Sequence, residues 1–146
     1  MPIQVVSIGL SVVFLDQLSK FLILRSLRGV ITLPILPGIF HLTPLTNSGV
    51  AFGLFRDQGL FVTMGTTLLL MGLLWSTLKR SSQGGTPLGV GLGLLLGGAV
   101  GNMLDRVRLG GVVDFLDFRI WPVFNIADSC ITIGAVLMAW HLVRQR

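Results

Sequence analysis

Residues 59–78, GLFVTMGTTLLLMGLLWSTL, run for 20 positions without a charge. A helix needs about 20 apolar residues to cross the hydrocarbon core of a bilayer, so this segment alone ties the chain to lipid. Residues 86–104 are also uncharged, residues 124–143 carry only Asp128, and residues 3–24 carry Asp16 and Lys20 in their last third. Four apart on a helix, Asp16 and Lys20 share a face and can neutralise each other. Hydrophobic residues make up 52% of the chain, only 12% are charged, and mean hydropathy is +0.85. Such a chain cannot cover a water-soluble globule with polar surface.

At 146 residues the chain is expected to form one membrane-embedded domain, 1–146. Its net charge is +5, but the basic residues are scattered. No basic stripe exists to hold nucleic acid, so no such partner is expected. Cys130 is the lone cysteine, which excludes an internal disulfide and reads as a small core residue. The first apolar run has no basic n-region before it and continues into DQLSK rather than a small-residue cleavage site. It is expected to stay as a span.

Between the first two spans, Pro34, Pro37 and Pro44 exclude a long helix, and short β-branched runs between the prolines predict strands at the membrane surface. A second irregular segment holds the extended-looking GGVVDFLDF. In round terms the polar-facing segments are about 25–58 and 105–123. With four spans, both termini share one side and these two segments share the other. Counting basic residues leaves orientation open. Cytoplasmic termini place Lys79, Arg80, Arg144 and Arg146 inside against Lys20, Arg25, Arg28, Arg56, Arg106, Arg108 and Arg119 outside, and the positive-inside rule favours the reverse. In the third span Gly89, Gly93, Gly97 and Gly101 recur every four residues, with Gly98 alongside. This small-residue ridge is expected to pack closely on a neighbouring helix and to fix Asn102 and Asp105 at its end.

The stretch from Gly97 to Gly134 holds Asp105, Asp114, Asp117 and Asp128 within a chain otherwise built of apolar residues and glycine. A carboxylate near hydrocarbon costs roughly 2.5–3.5 kcal/mol even on lenient scales. Asp114 and Asp128, each introduced by its own apolar run, read as halves of one pair. Two carboxylates in a low-dielectric site share a proton. The ionised one can take a proton from water while the other polarises a carbonyl, which is aspartic proteolysis. The residues alone leave a helix-capping role or a proton-relay transporter open. His41 and His141 have no ligand-like spacing, so no metal and no cofactor are expected. His41 reads as structural, and His141 marks a helix end.

Four motifs then appear in order: DQLSK at 16–20, NSGVAFG at 47–53, GNMLDRVRLGGVVDFLDF at 101–118 and FNIADS at 124–129. Together they resemble lipoprotein signal peptidase, or signal peptidase II. The resemblance implies an all-α integral membrane protein of four transmembrane helices with a small extracytoplasmic β-rich cradle. It also implies an aspartic endopeptidase of the bacterial cytoplasmic membrane, with both termini cytoplasmic and the active site toward the outer face. The implied substrate is a diacylglyceryl-prolipoprotein, cut just before its lipidated cysteine. By the same resemblance Asp114 and Asp128 are catalytic. Asp16, Lys20, Asn47, Asn102, Arg106 and Asn125 form the surrounding substrate-binding site. Asp105 is expected to orient or neutralise the nearby arginines, and Asp117 has no assigned role. Ser48 and Val50 stand where the family pattern often reads Thr and Ala, which bears on substrate fit rather than chemistry. The lipid bilayer is the other partner, and a monomer is expected.

Overall fold

The computed structural model describes residues 2–48, 65, 72 and 86–144. Its elements are α1 (Pro2–Ser26), β1 (Leu33–Leu36), β2 (Phe40–Asn47), α2 (Thr86–Leu109), β3 (Val112–Asp117) and α3 (Ile126–Arg144). The span expected at 59–78 lies outside the described residues except for Gly65 and Gly72, both helical. Helices α1 and α2 are long and apolar enough to cross a membrane, while the apolar part of α3, Ile126–His141, is shorter.

Contacts along α2 set the directions of the three helices. Gly93 lies against Val5 and Ile8, Gly97 against Gly9 and Val12, and Gly101 against Asp16, so α1 and α2 run parallel. Gly98 lies against Ala127 and Ile131, and Gly91 against Gly134 and Met138, so α3 runs antiparallel to α2. The expected glycine ridge is therefore an interface, with α2 between α1 and α3. A Cβ at Gly97 would stand 2.7 Å from both the Gly9 carbonyl and Val12 Cβ. A Cβ at Gly101 would stand 2.6 Å from an Asp16 carboxylate oxygen, so the last glycine of the ridge makes room for a charged group.

The burial is inside out relative to a soluble protein. Asp16 and Lys20 are buried on α1, whereas Ile3, Leu10, Phe14 and Phe21 are exposed on it. Lipid is the solvent that accepts that arrangement, since the exposed side chains are as apolar as the acyl chains around them.

The strands form an antiparallel sheet in the order β1-β2-β3. They run through the prolines rather than between them. Pro34 lies on the edge strand β1, and Pro44 falls where the β2–β3 register shifts, between Leu42 and Leu45. Both are places where a missing N–H breaks no ladder bond. Pro37 and Gly38 make the β1–β2 turn, with Gly38 at φ 75°. His41 locks this hairpin, accepting the Gly38 N–H at Nε2 (3.3 Å) and meeting the Thr32 hydroxyl at Nδ1 (3.3 Å).

One boundary differs from the sequence reading. Helix α2 continues to Leu109, five residues past the expected end of the span, so Asp105, Arg106 and Arg108 lie on a helix and not in the irregular segment. Nothing from Asn102 to Leu109 breaks a helix, and the stop comes at Gly110, whose φ of 73° suits a C-terminal cap.

The ridge makes a direct prediction. Gly97→Ala must push α1 and α2 apart and is expected to lower stability in detergent by about 1–3 kcal/mol. Gly9→Ala, whose Cβ would meet the Gly93 carbonyl at an ordinary 3.6 Å, is expected to be tolerated. Thermal unfolding of the two variants side by side checks the pair, and equal midpoints would dismiss the ridge as a packing device.

Candidate active site

Every aspartate among the described residues sits at one end of the helix bundle, beside the sheet. The centre of this cluster is the Lys20 ammonium, 2.8 Å from Asp16 Oδ2 and 2.7 Å from Asp105 Oδ2. It also donates to Asn102 Oδ1 at 3.1 Å, so three oxygen acceptors surround it. Lys20 is 2% exposed and Asp16 0%. At that depth an unpaired charge would be prohibitive, and the pairing is what lets these residues exist there.

From this centre, hydrogen bonds orient each neighbouring group. Asn102 turns its oxygen to Lys20, so its Nδ2 must point the other way, donating to Asp128 Oδ1 at 2.8 Å. Asp105 Oδ2 also accepts the Val113 N–H at 3.1 Å, fixing the strand residue immediately before Asp114. Asp16 Oδ1 accepts the Ala127 N–H at 3.0 Å, anchoring the start of α3. Gln17, inside DQLSK but given no role from sequence, spans the cluster. Its amide nitrogen donates to Asp105 at 2.8 Å and to the Gly101 carbonyl at 3.2 Å.

Helix α3 opens with a reciprocal cap. Asn125 Oδ1 accepts the Asp128 N–H at 2.9 Å, and Asp128 Oδ2 accepts the Asn125 N–H at 3.3 Å. That is the capping-box arrangement, built from Asn and Asp. With its oxygen committed to the cap, the Asn125 amide nitrogen donates to Asp114 Oδ1 at 2.7 Å and to the Val113 carbonyl at 3.2 Å. One buried amide thus holds Asp114 on the sheet and Asp128 on the helix. Asn47, opposite Val112 on β2, donates to Asp114 Oδ2 at 3.3 Å.

The two carboxyls differ in environment. Asp114 is 3% exposed. Burial first, and the charge of Asp128 second, push its pKa up to about 6, against the donors Asn47 and Asn125. Asp128 is half-buried and borders an apolar cavity of about 510 Å³ lined by Phe118, Ile120, Trp121, Phe124 and Ile133. Arg106, also half-buried, stands near enough for its charge to act on Asp128, Asp114 and, less strongly, Asp105. Its Nε is buried and has no partner among the described residues.

Two aspartates depart from the sequence reading. Asp105 is expected beside the arginines, but its short contact is with Lys20 and it reaches Arg106 only at longer range. Asp117, without an assigned role, accepts the Thr43 hydroxyl at 2.8 Å and two bonds from Arg119, its backbone N–H at 2.9 Å and its guanidinium at 3.0 Å. Those donors, Thr43 foremost, hold its carboxyl below the usual range. Arg119 has φ 65°, a left-handed conformation costing roughly 1–2 kcal/mol that the Asp117 bonds offset. The site residues taken from motifs, Asp16, Lys20, Asn47, Asn102, Arg106, Asp114, Asn125 and Asp128, all lie in this one connected cluster.

The sequence pattern of signal peptidase (SPase) II matches residues 8–144. The chain belongs to the signal peptidase II family. It is accordingly an enzyme, a membrane aspartic peptidase. A lipoprotein signal peptidase of Halothermothrix orenii is 42% identical over 136 residues, covering 93% of this chain and 92% of the relative. One from Trichormus variabilis is 48% identical over 132 residues, covering 86% and 80%. Among solved structures, a bacterial membrane enzyme determined by the in meso method at 2.3 Å resolution superposes with a TM-score of 0.84 at 31% identity, covering 96% of this chain and 87% of its own. Another, at 1.9 Å, gives 0.83 at 31% identity.

The coupling between the two carboxyls can be measured. In Asp128→Asn the repelling charge is gone, so the Asp114 pKa is expected to fall from about 6 toward the ordinary carboxylate value while staying above it, because burial remains the larger cause. Carboxyl carbon NMR of the two proteins reads this directly, and an unchanged titration would show that the pair is uncoupled. The sign for stability follows. A folded pKa above the unfolded value of about 3.9 means that Asp114 contributes less stability as pH rises from about 4 to about 6.

Proposed function

We propose that the protein removes signal peptides from diacylglyceryl-modified bacterial prolipoproteins, cutting on the N-terminal side of the lipidated cysteine, with Asp114 and Asp128 activating water. The observation that carries this reading is that Asn125 binds both carboxyl groups, its side-chain NH₂ donating to Asp114 on the sheet and its backbone N–H to Asp128 at the helix start. The two share one proton and titrate as a unit. The ionised member takes a proton from a water whose oxygen attacks the scissile carbonyl carbon. The protonated member donates to the carbonyl oxygen as charge develops there. Collapse of the tetrahedral intermediate breaks the C–N bond, and the proton gained from water passes to the cysteine nitrogen.

The remaining residues divide by burial. Asp16, Lys20, Asn102 and Asn125 face one another in the interior and position the pair. Arg106, whose Nε has no partner among the described residues, and Asn47 are placed to hold substrate backbone that has left water, where each unmet polar group is costly. The apolar cavity beside Asp128 suits a substrate whose lipid and signal helix arrive sideways through the bilayer. In this reading the chain is one domain, 1–146, with four spans in the bacterial cytoplasmic membrane. Both termini are cytoplasmic, the polar-facing segments are extracytoplasmic, and the enzyme acts as a monomer without a cofactor. A proton relay across the membrane fits poorly, because the described aspartates gather at one end of the bundle instead of spacing through its depth.

Two outcomes are expected. Asp114→Asn and Asp128→Asn each abolish cleavage of a purified diacylglyceryl-prolipoprotein while remaining folded, and wild type leaves the unlipidated precursor uncut. Substantial turnover by either variant would sink the assignment of the pair. The pH profile should be bell-shaped. Below the range both carboxyls are protonated and no base remains; above it the shared proton is lost. The alkaline limb of kcat/KM is expected near pH 6, following Asp114. That of kcat is expected at higher pH, since bound substrate removes further water. A kcat/KM rising steadily through pH 5–8 contradicts the shared proton.

A further inference from the structure

Six described cations lie at the active-site end of the helices: Lys20, Arg25, Arg28, Arg106, Arg108 and Arg119, whereas Arg144 lies at the other end. Three have duties already given: Lys20 with Asp16 and Asp105, Arg106 beside the paired carboxyls, Arg119 on Asp117. The other three, Arg25, Arg28 and Arg108, are all exposed and pair with no carboxylate among the described residues, Arg108 donating only to the neutral Gln17 Oε1 at 3.1 Å, and all line one cavity of about 550 Å³ between the C-terminal ends of α1 and α2. Among the described residues the only carboxylate bordering it is Asp105, which is 2% exposed and already held by Lys20, Gln17 and the Val113 N–H. The cavity therefore presents uncompensated positive charge at its rim.

Its walls are of the opposite character. Phe21, Leu24 and Leu109 line it and are themselves exposed, and Phe21 and Leu24 continue the apolar outer face of α1 through Leu18 and Phe14. Arg25 and Arg28 follow Lys20 by five and eight residues, which along the helix axis is roughly 8–12 Å nearer the aqueous end. Along α1, Phe21, Leu18 and Phe14 thus lie roughly 6–16 Å deeper than Arg25, so the arginines stand at headgroup level and that apolar face at acyl-chain level, with Leu24 and Leu109 at the boundary. A free phosphate would use only the first of these, and a neutral lipid only the second.

We propose that this cavity is a binding site for an anionic phospholipid of the leaflet beside the active site, its phosphate held by Arg25, Arg28 and Arg108 and its chains lying along Phe21 and Leu24. The site is separate from the apolar cavity at Asp128 and shares no residue with it. It also accounts for a basic excess on the face where the positive-inside rule asks for the least. The competing account is that arginines in the last turns of α1 and α2 only complement the helix dipoles. That account requires no lipid selectivity.

The test is native mass spectrometry of the detergent-solubilised protein titrated with phosphatidylglycerol or with phosphatidylcholine of the same chains. Wild type is expected to retain phosphatidylglycerol preferentially, and the triple variant R25Q/R28Q/R108Q to lose that preference. Each arginine near an anionic lipid is worth on the order of fivefold in affinity, so the triple change amounts to roughly a hundredfold. The charge-keeping variant R25K/R28K/R108K should retain most of the preference, and should the glutamine triple not fold, the single variants Arg25→Gln and Arg28→Gln each carry a fivefold test. Equal retention of the two lipids by wild type overturns the proposal, as does unchanged preference in the glutamine variants. Displacement of the lipid by an equal concentration of glycerol phosphate also overturns it, because the site would then be one for free phosphate.

Discussion

The structure depends on one buried cation. Lys20 on α1 binds a carboxylate on its own helix, a carboxylate on α2 and the amide oxygen of Asn102, and these bonds fix groups that hold everything else. Asp16 reaches from the ammonium to the first turn of α3, and Asp105 reaches from it to β3. Three helices and the sheet thus meet at one charge. In an apolar surrounding such a cluster contributes little net stability over a well-packed apolar core, yet losing one member costs about 3–5 kcal/mol. That asymmetry makes it a device for geometry: the cluster has one satisfied arrangement, and any slip of a helix leaves a charge unpaired.

The same logic orients the two asparagines that touch the carboxyl pair. An amide has a donor end and an acceptor end, and Lys20 can only donate. Asn102 must therefore give its oxygen to Lys20 and its NH₂ to Asp128. Asn125 gives its oxygen to the α3 cap and its NH₂ to Asp114. Both carboxyls of the pair receive donors whose direction is set by backbone or by charge, so neither depends on a freely rotating group. Asp128 consequently serves two purposes at once. It closes the helix cap, the role that a lone aspartate before a span commonly plays, and it faces the cavity as half of the pair. The structural and the chemical readings of that residue are compatible, because one carboxyl oxygen binds the cap and the other takes Asn102.

Much of this was legible in the chain. The uncharged run 86–104 gives a long apolar helix, the four-residue glycine spacing gives the α1–α2 contact, and GGVVDFLDF gives a strand, because each is a local pattern with a local cause. Asp16 and Lys20 pair as their spacing requires, since i and i+4 always share a helix face. What could not be read was any choice made between distant segments. The preference of Asp105 for Lys20 over the arginines beside it in sequence comes from parallel packing of α1 on α2, which no local pattern encodes. The bond from Asp117 to Thr43 depends on a sheet register interrupted at Pro44. Gln17 lies within DQLSK without a legible role, because an uncharged amide gives no electrostatic signal until the carboxylate and carbonyl it bridges are placed.

The charges of the site also explain why a proton should be retained in it. Asp16 and Asp105 bring two negative charges against the single positive charge of Lys20, which leaves the structural cluster already negative. Arg106 offsets one further carboxylate, and the amide ends of α3 offset part of a charge through the dipole. With one proton shared by Asp114 and Asp128 the excess is about one negative charge, partly offset by the dipole; with none it is about two, among apolar walls. Asp114 is raised chiefly by burial and next by Asp128, with Lys20 acting against them. The burial that the framework imposes therefore also biases the pair toward a protonated form.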